Sequence, residues 1–170
     1  MVPPDLSNYF LTSAAVAGSL IGLLFVSISL RYEAILGNAA DFRSRAAAAS
    51  AFTGLVNALT ISLWALIPDG DLGYTAVVSA LVCLTNTIRL HGAKLRGTDS
   101  SWPTFLLSTA VYLLQLGTGG YLIAGPHSPG GVDILAYTLF GAFASSLNRA
   151  WQLLQPASPA QPKPAATETR

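Results

Sequence analysis

The stretch YFLTSAAVAGSLIGLLFVSISL, Tyr9 to Leu30, contains no Asp, Glu, Lys or Arg. A helix rises 1.5 Å per residue, so crossing about 30 Å of hydrocarbon takes about 20 residues, and this run is long enough. Lipid offers no partner to backbone N–H and C=O groups, which leaves only helices and closed barrels as spanning structures. Barrel strands are about 10 residues long and alternate in polarity. This run is far longer and does not alternate, so it reads as a membrane-crossing helix.

Four more runs follow the same rule: Ala46 to Ile67, Leu72 to Leu90, Pro103 to Ala124 and Val132 to Leu154. None carries a charged residue in its middle third, where an Arg or Asp costs about 2.5–3.5 kcal/mol on insertion. The flank before the first run, Met1-Val2-Pro3-Pro4-Asp5, lacks the basic residues of a signal peptide, and the apolar run exceeds a signal-peptide core. It is expected to stay as a span. Residues 1–154 thus form an all-α bundle of five transmembrane helices. The tail, Gln155 to Arg170, holds four prolines among Ala, Ser and Thr and is expected to be disordered.

Composition agrees. Of 170 residues, 52% are hydrophobic and 10% charged, with mean hydropathy +0.52. About a quarter of a soluble domain is charged, because its surface must face water. A net charge of +1 supports no attraction to nucleic acid. The lone cysteine, Cys83, excludes an internal disulfide and reads as a small core residue.

The breaks between runs carry helix-end chemistry. Asp41 and Ser44 precede the second span, Asp69 and Asp71 the third, Asp99 to Pro103 the fourth, and Asp133 opens the fifth. Short acceptors and carboxylates suit helix N-termini, whose N–H groups lack partners. Arg31, Arg89 and Arg149 stand at C-terminal ends, where cations oppose the dipole. Pro68-Asp69-Gly70-Asp71 is a turn, and Gly125 to Gly131, rich in Gly and Pro, is expected to interrupt the helix.

Basic residues set the orientation. Arg31, Arg43 and Arg45 follow span one; Arg89, Lys94 and Arg96 follow span three; Arg149, Lys163 and Arg170 follow span five. These are all the Lys and Arg of the chain, and five spans put them on one side, which roughly one random arrangement in 250 would do. The basic side is cytoplasmic, so the N-terminus is expected outside and the C-terminus in the cytoplasm. Tyr9, Trp64, Tyr74 and Tyr121 near the outer ends, and Tyr32, Trp102 and Trp151 near the inner ones, fit interfacial belts.

No catalytic constellation emerges, and no enzyme, metal or cofactor is expected. His91 and His127 fall on opposite sides, and no phosphate loop, His–Glu pair or nucleophile elbow exists. Leu116-Gly117-Thr118-Gly119-Gly120-Tyr121 has the composition of backbone that can line a filter. Its place before the Gly/Pro loop reads instead as a fraying helix end. Candidate packing positions are the small residues Gly18 and Gly22 (a GxxxG), Gly54, Gly141 and Ser145, which allow helices to approach closely in lipid. They suit packing within the bundle first and a subunit interface second. Asn57, Asn86 and Gln115 are the candidate intramembrane polar contacts, expected as interhelical glue rather than substrate ligands.

Gly22 to Leu30, followed by Arg43-Ser44-Arg45-Ala46 and then Leu66-Ile67-Pro68, resembles a family of small five-span bacterial membrane proteins. That family has a "GLLFVA-S" first helix, an "R-RA" start to the second and an "L-P" at its end. Leu147-Asn148-Arg149-Ala150-Trp151 is similar to its closing "NAW", with Arg149 inserted as a departure. Some members are labelled modulator of the FtsH protease, which implies a role through protein contacts and assigns no functional residue. The Ala- and Gly-rich, Lys-poor composition also fits a GC-rich bacterial source.

The expected function is therefore that of a small multi-pass protein of the bacterial inner membrane. Its partners would be the lipid bilayer and, by lateral contact, other membrane proteins or itself as a homo-oligomer. The competing class is an oligomeric channel or facilitator lined by Asn57, Asn86, Gln115 and hydroxyl side chains. A pore needs those amides on one wet axis; a scaffold buries them in pairs.

Overall fold

A computed structural model describes residues 4–35, 37, 42–68, 70–92, 102–125 and 129–154. The expected tail, along with Asp41, Asp69 and His127, lies outside the described residues. The described chain is helical: α1 Pro4–Leu30, the single turn α2 Tyr32–Ile35, α3 Phe42–Ala65, α4 Leu72–Gly92, α5 Trp102–Ala124 and α6 Pro129–Leu154. Five are long and apolar enough to cross a membrane, over Leu6–Leu30, Ser44–Ala65, Leu72–Leu90, Phe105–Ala124 and Gly130–Trp151. This is the architecture of a multi-pass membrane protein.

Several helix ends differ from expectation. Helix α3 begins at Phe42, so Arg43, Ser44 and Arg45 lie inside its first turn rather than before it, and it ends at Ala65 rather than Ile67. The Ala46–Ala49 run favours helix strongly, and helical hydrogen bonding continues past the hydrocarbon boundary that hydropathy detects. Arg45 also has a structural task, since its guanidinium donates to the Gly37 carbonyl just after α2. Helix α6 begins at Pro129, not Val132, so Gly130 and Gly131 are helical. Proline's fixed φ and missing N–H suit the first turn. A Cβ on Gly131 would lie 2.7 Å from Leu122 Cδ2, so its bare backbone lets α6 start tight against the end of α5.

The Leu116–Tyr121 segment does not fray. It is continuous α5 through Ala124, and Gly119 meets Gly73 of α4. A Cβ on either glycine would lie 3.0 Å from the carbonyl oxygen of the other. Lipid supplies no hydrophobic drive between helices, so close packing of this kind is what holds them together.

Helices α3, α4, α5 and α6 form a ring in which each packs on the next and α6 closes back on α3. Helices α3 and α5 are therefore diagonal. Helix α1 lies outside the ring against α3, with a lesser contact to α6. One core gathers Phe10, Ala58, Ile61, Leu135 and Leu139, and a second gathers Leu24, Ala51 and Leu55 towards the end that carries the arginines. The Tyr9 hydroxyl donates to the Ala136 carbonyl at 2.8 Å and ties α1 to α6.

Candidate functional site

The polar residues of the ring stand in two layers. In the central layer Asn57 Nδ2 donates to Gln115 Oε1 at 2.8 Å, and Gln115 Nε2 reaches Asn57 Oδ1 at 3.2 Å. The same Nε2 lies 3.1 Å from the Ala76 carbonyl and 2.9 Å from Ser79 Oγ. Gln115 is 0% exposed and Asn57 3%. The pair spans the diagonal from α3 to α5 and takes in α4, so one glutamine side chain joins three helices. Each amide nitrogen in this layer has an acceptor, in keeping with the cost of an unpaired polar group in a low-dielectric interior.

The second layer lies nearer the arginine-bearing end. Arg149 is 7% exposed and points into the ring, where its guanidinium donates to Ser108 Oγ of α5. It is not a cation of the last helical turn, because α6 continues past it to Leu154, and position 149 faces α5. Tyr112, also buried, shares a side-chain hydrogen bond with Cys83 of α4. Ser146 of α6 fills the space beside Gly54 of α3 that any side chain there would occupy. All four ring helices meet at this layer.

The other candidates separate. Asn86 is half-buried and donates to Thr53 Oγ1 of α3 at 2.7 Å, apart from the Asn57–Gln115 pair. Gly141 faces α5, with Val111 Cγ2 3.6 Å from where its Cβ would be. Ser145 bonds back to the Ala142 carbonyl at 2.9 Å. Gly18 and Gly22 are exposed, with nothing within 4 Å of a Cβ on either, so the GxxxG packs on nothing among the described residues. Sequence reasoning missed the Gly73–Gly119 crossing and the inward turn of Arg149. The glycines carried a signal, Gly73 and Gly119 each sitting near the end of an apolar run. Arg149 carried none, because its direction depends on where α5 packs.

A groove of about 920 Å³ is lined by α3 and α4, from Phe52 and Arg89 at one end to Trp64 and Tyr74 at the other. Among the described residues none of α1, α5 or α6 contributes, so it opens sideways from the ring rather than along its axis. Its walls include exposed Val78, Leu81 and Val82. Thr60, Thr75 and Thr85 also line it, and each bonds to the carbonyl four residues back. Among the described residues no three His, Cys, Asp or Glu gather closely enough to hold a metal ion. No family model, curated protein or solved structure matches the chain.

Proposed function

We propose that this chain is a small bacterial inner-membrane protein, N-terminus outside and C-terminus cytoplasmic, that works by lateral contact and modulates another membrane protein. The contact surface is the α3/α4 groove. The observation carrying the reading is the disposition of the polar groups. The central amides satisfy one another across the ring diagonal, and the α3/α4 groove faces sideways. A ring axis occupied by a paired amide offers an ion nothing to replace its hydration shell.

A channel built from several copies is the second reading, favoured by the row of threonines along the groove. Two measurements separate the two. Photo-crosslinking groups placed at Val78 and Val82 in intact cells should link to protein, while the same groups at the exposed Tyr137 and Phe140 should not. Purified protein in liposomes should leave permeability to small ions and solutes at background. Selective flux, or equal linking at all four positions, would sink the lateral-contact reading.

A further inference from the structure

We propose that the groove is filled by α1 of a second copy of this chain, an inference that rests on the lateral-contact reading and names the occupant. The groove sets three requirements. On α4 it runs from Tyr74 to Arg89, which at 1.5 Å per residue is about 22 Å. One leaflet is about 15 Å deep, so the groove suits a helix that crosses both leaflets better than a lipid chain confined to one. At its basic end Arg89 is exposed and makes no ion pair among the described residues. One turn deeper, Asn86 spends its N–H on Thr53, and its carbonyl oxygen has no donor among the described residues. An acceptor facing lipid without a donor is costly. The occupant should therefore carry a carboxylate opposite Arg89 and a hydroxyl or N–H about one turn deeper. A phosphate headgroup meets only the requirement of a negative charge opposite Arg89.

Helix α1 and the turn after it meet all three. Gly18, Gly22, Val26 and Ser29 are exposed and, at 100° per residue, fall within about 80° of arc. Ser19 and Ser27 bond back to their own helix, whereas Ser29 makes no hydrogen bond among the described residues. Glu33, exposed in α2, follows one turn later and makes no ion pair among the described residues. In every copy α1 and α4 cross in the same direction, so α1 of one copy lies parallel to α4 of the other. Setting Glu33 beside Arg89 then places Ser29 beside Asn86, Gly22 beside Val78 and Gly18 beside Tyr74. Large side chains meet bare backbone along the row. Within one chain α1 and the groove adjoin across α3, where Phe25 and Phe52 stack edge to face with centroids 5.5 Å apart. A two-fold axis along the membrane normal therefore lets each copy seat its α1 in the other's groove, closing a dimer with one self-complementary surface.

Cross-linking tests this directly in a Cys83→Ala background, in vesicles of phosphatidylethanolamine and phosphatidylglycerol. Gly22→Cys combined with Val78→Cys should oxidise to a disulfide-linked dimer, and Phe140→Cys combined with Val78→Cys should not. All three positions are exposed, so folding is not at stake. Energy transfer between labelled copies should show that Glu33→Arg and Arg89→Glu each weaken self-association about tenfold or more, with the double exchange restoring it. Absence of the Gly22–Val78 link, or no rescue by the double exchange, overturns the proposal. If groups at Val78 then link to a different membrane protein in cells, lateral contact stands and only the second copy is wrong. If Arg89→Gln changes only phosphatidylglycerol retention and Val78 links to nothing, both readings fall.

Discussion

Asn57 and Gln115 hydrogen-bond reciprocally, at 2.8 and 3.2 Å, across the diagonal of the four-helix ring. Their helices, α3 and α5, are kept apart by α4 and α6 on either side. The amides therefore do what backbone packing cannot do there. They set the depth at which two non-adjacent helices face each other, and by holding Ser79 and the Ala76 carbonyl they fix α4 to the same level. Leucines at both positions would pack against lipid-like neighbours at any depth, but two complementary amides satisfy each other at one.

A double-mutant cycle measures this. Asn57→Leu and Gln115→Leu should each cost about 1–3 kcal/mol, because each strands a buried amide. The double variant should cost clearly less than their sum, with a coupling on the order of 0.6–1.7 kcal/mol. Unfolding by denaturant in detergent reads all three variants. Strict additivity would mean that the two amides do not act as a pair.

The glycines divide by what stands opposite them. At Gly73 a Cβ would lie 2.9 Å from Ile123 Cγ1 and 3.0 Å from the Gly119 carbonyl, and backbone cannot move aside as a flexible side chain can. Gly73→Ala and Gly119→Ala should each destabilise the monomer by about 1–3 kcal/mol. Gly18→Ala and Gly22→Ala meet open space, and alanine is the better helix former. Thermal unfolding of dilute monomer in detergent should show them neutral or more stable by up to about 1 kcal/mol. A loss at Gly18 matching that at Gly73 would contradict this division.

What could be read without coordinates depended on whether the signal lies along the chain or across it. The five long helices were legible because hydrocarbon excludes charge over a whole run, and Arg31, Asp71 and Arg89 fall where the runs stop. Helix ends were less so: Phe42 and Pro129 start helices outside the apolar window, which hydropathy alone does not mark. Lateral relations were not legible. Gly18-x-x-x-Gly22 has the spacing of a packing motif yet faces outward, while Gly73 and Gly119 each stand near the end of an apolar run but, being on different helices, carry no sign that they meet. Asn57 and Gln115 could each be identified as buried amides, but their pairing follows from which helices are diagonal.

Ser62 offers a stabilising change. It is fully buried in α3, and its hydroxyl has no hydrogen-bond partner among the described residues. Thr60, two residues away, bonds to the Val56 carbonyl. An unsatisfied buried hydroxyl costs about 1–3 kcal/mol. Ser62→Ala should raise stability in detergent by about 1 kcal/mol, since it removes the unpartnered oxygen and leaves a void of only one atom. A drop in stability would reveal a partner for this hydroxyl beyond the described residues.

Orientation has its own test. A phosphatase active only outside the cytoplasm should be active when inserted at Gly70 and inactive when fused after Arg170. Arg31, Arg45, Arg89 and Arg149 stand at the helix ends opposite Gly70, and basic residues are retained in the cytoplasm. Activity at Arg170 would reverse the proposed orientation.

The last test concerns Arg149 and Ser108. A guanidinium buried among helices is expensive to desolvate, and hydrogen bonds to its N–H groups offset that cost. Ser108 Oγ supplies one such bond. Ser108→Ala keeps the charge but deletes the acceptor, and should destabilise by about 1.5–3 kcal/mol, the range for hydrogen bonds to charged groups. Arg149→Met removes the charge, keeps much of the side-chain length, and fills the space between α5 and α6 with apolar atoms. Buried ionic groups replaced by apolar residues of similar volume often leave stability unchanged or improved. Arg149→Met should therefore be less harmful than Ser108→Ala, even though it is the more drastic change in chemistry. Combining the two should abolish most of the Ser108→Ala penalty, since no charge remains to be served. Denaturant unfolding of the three variants in one detergent decides it. If Arg149→Met is the worse of the two singles, the guanidinium contributes more to holding the ring together than its desolvation costs.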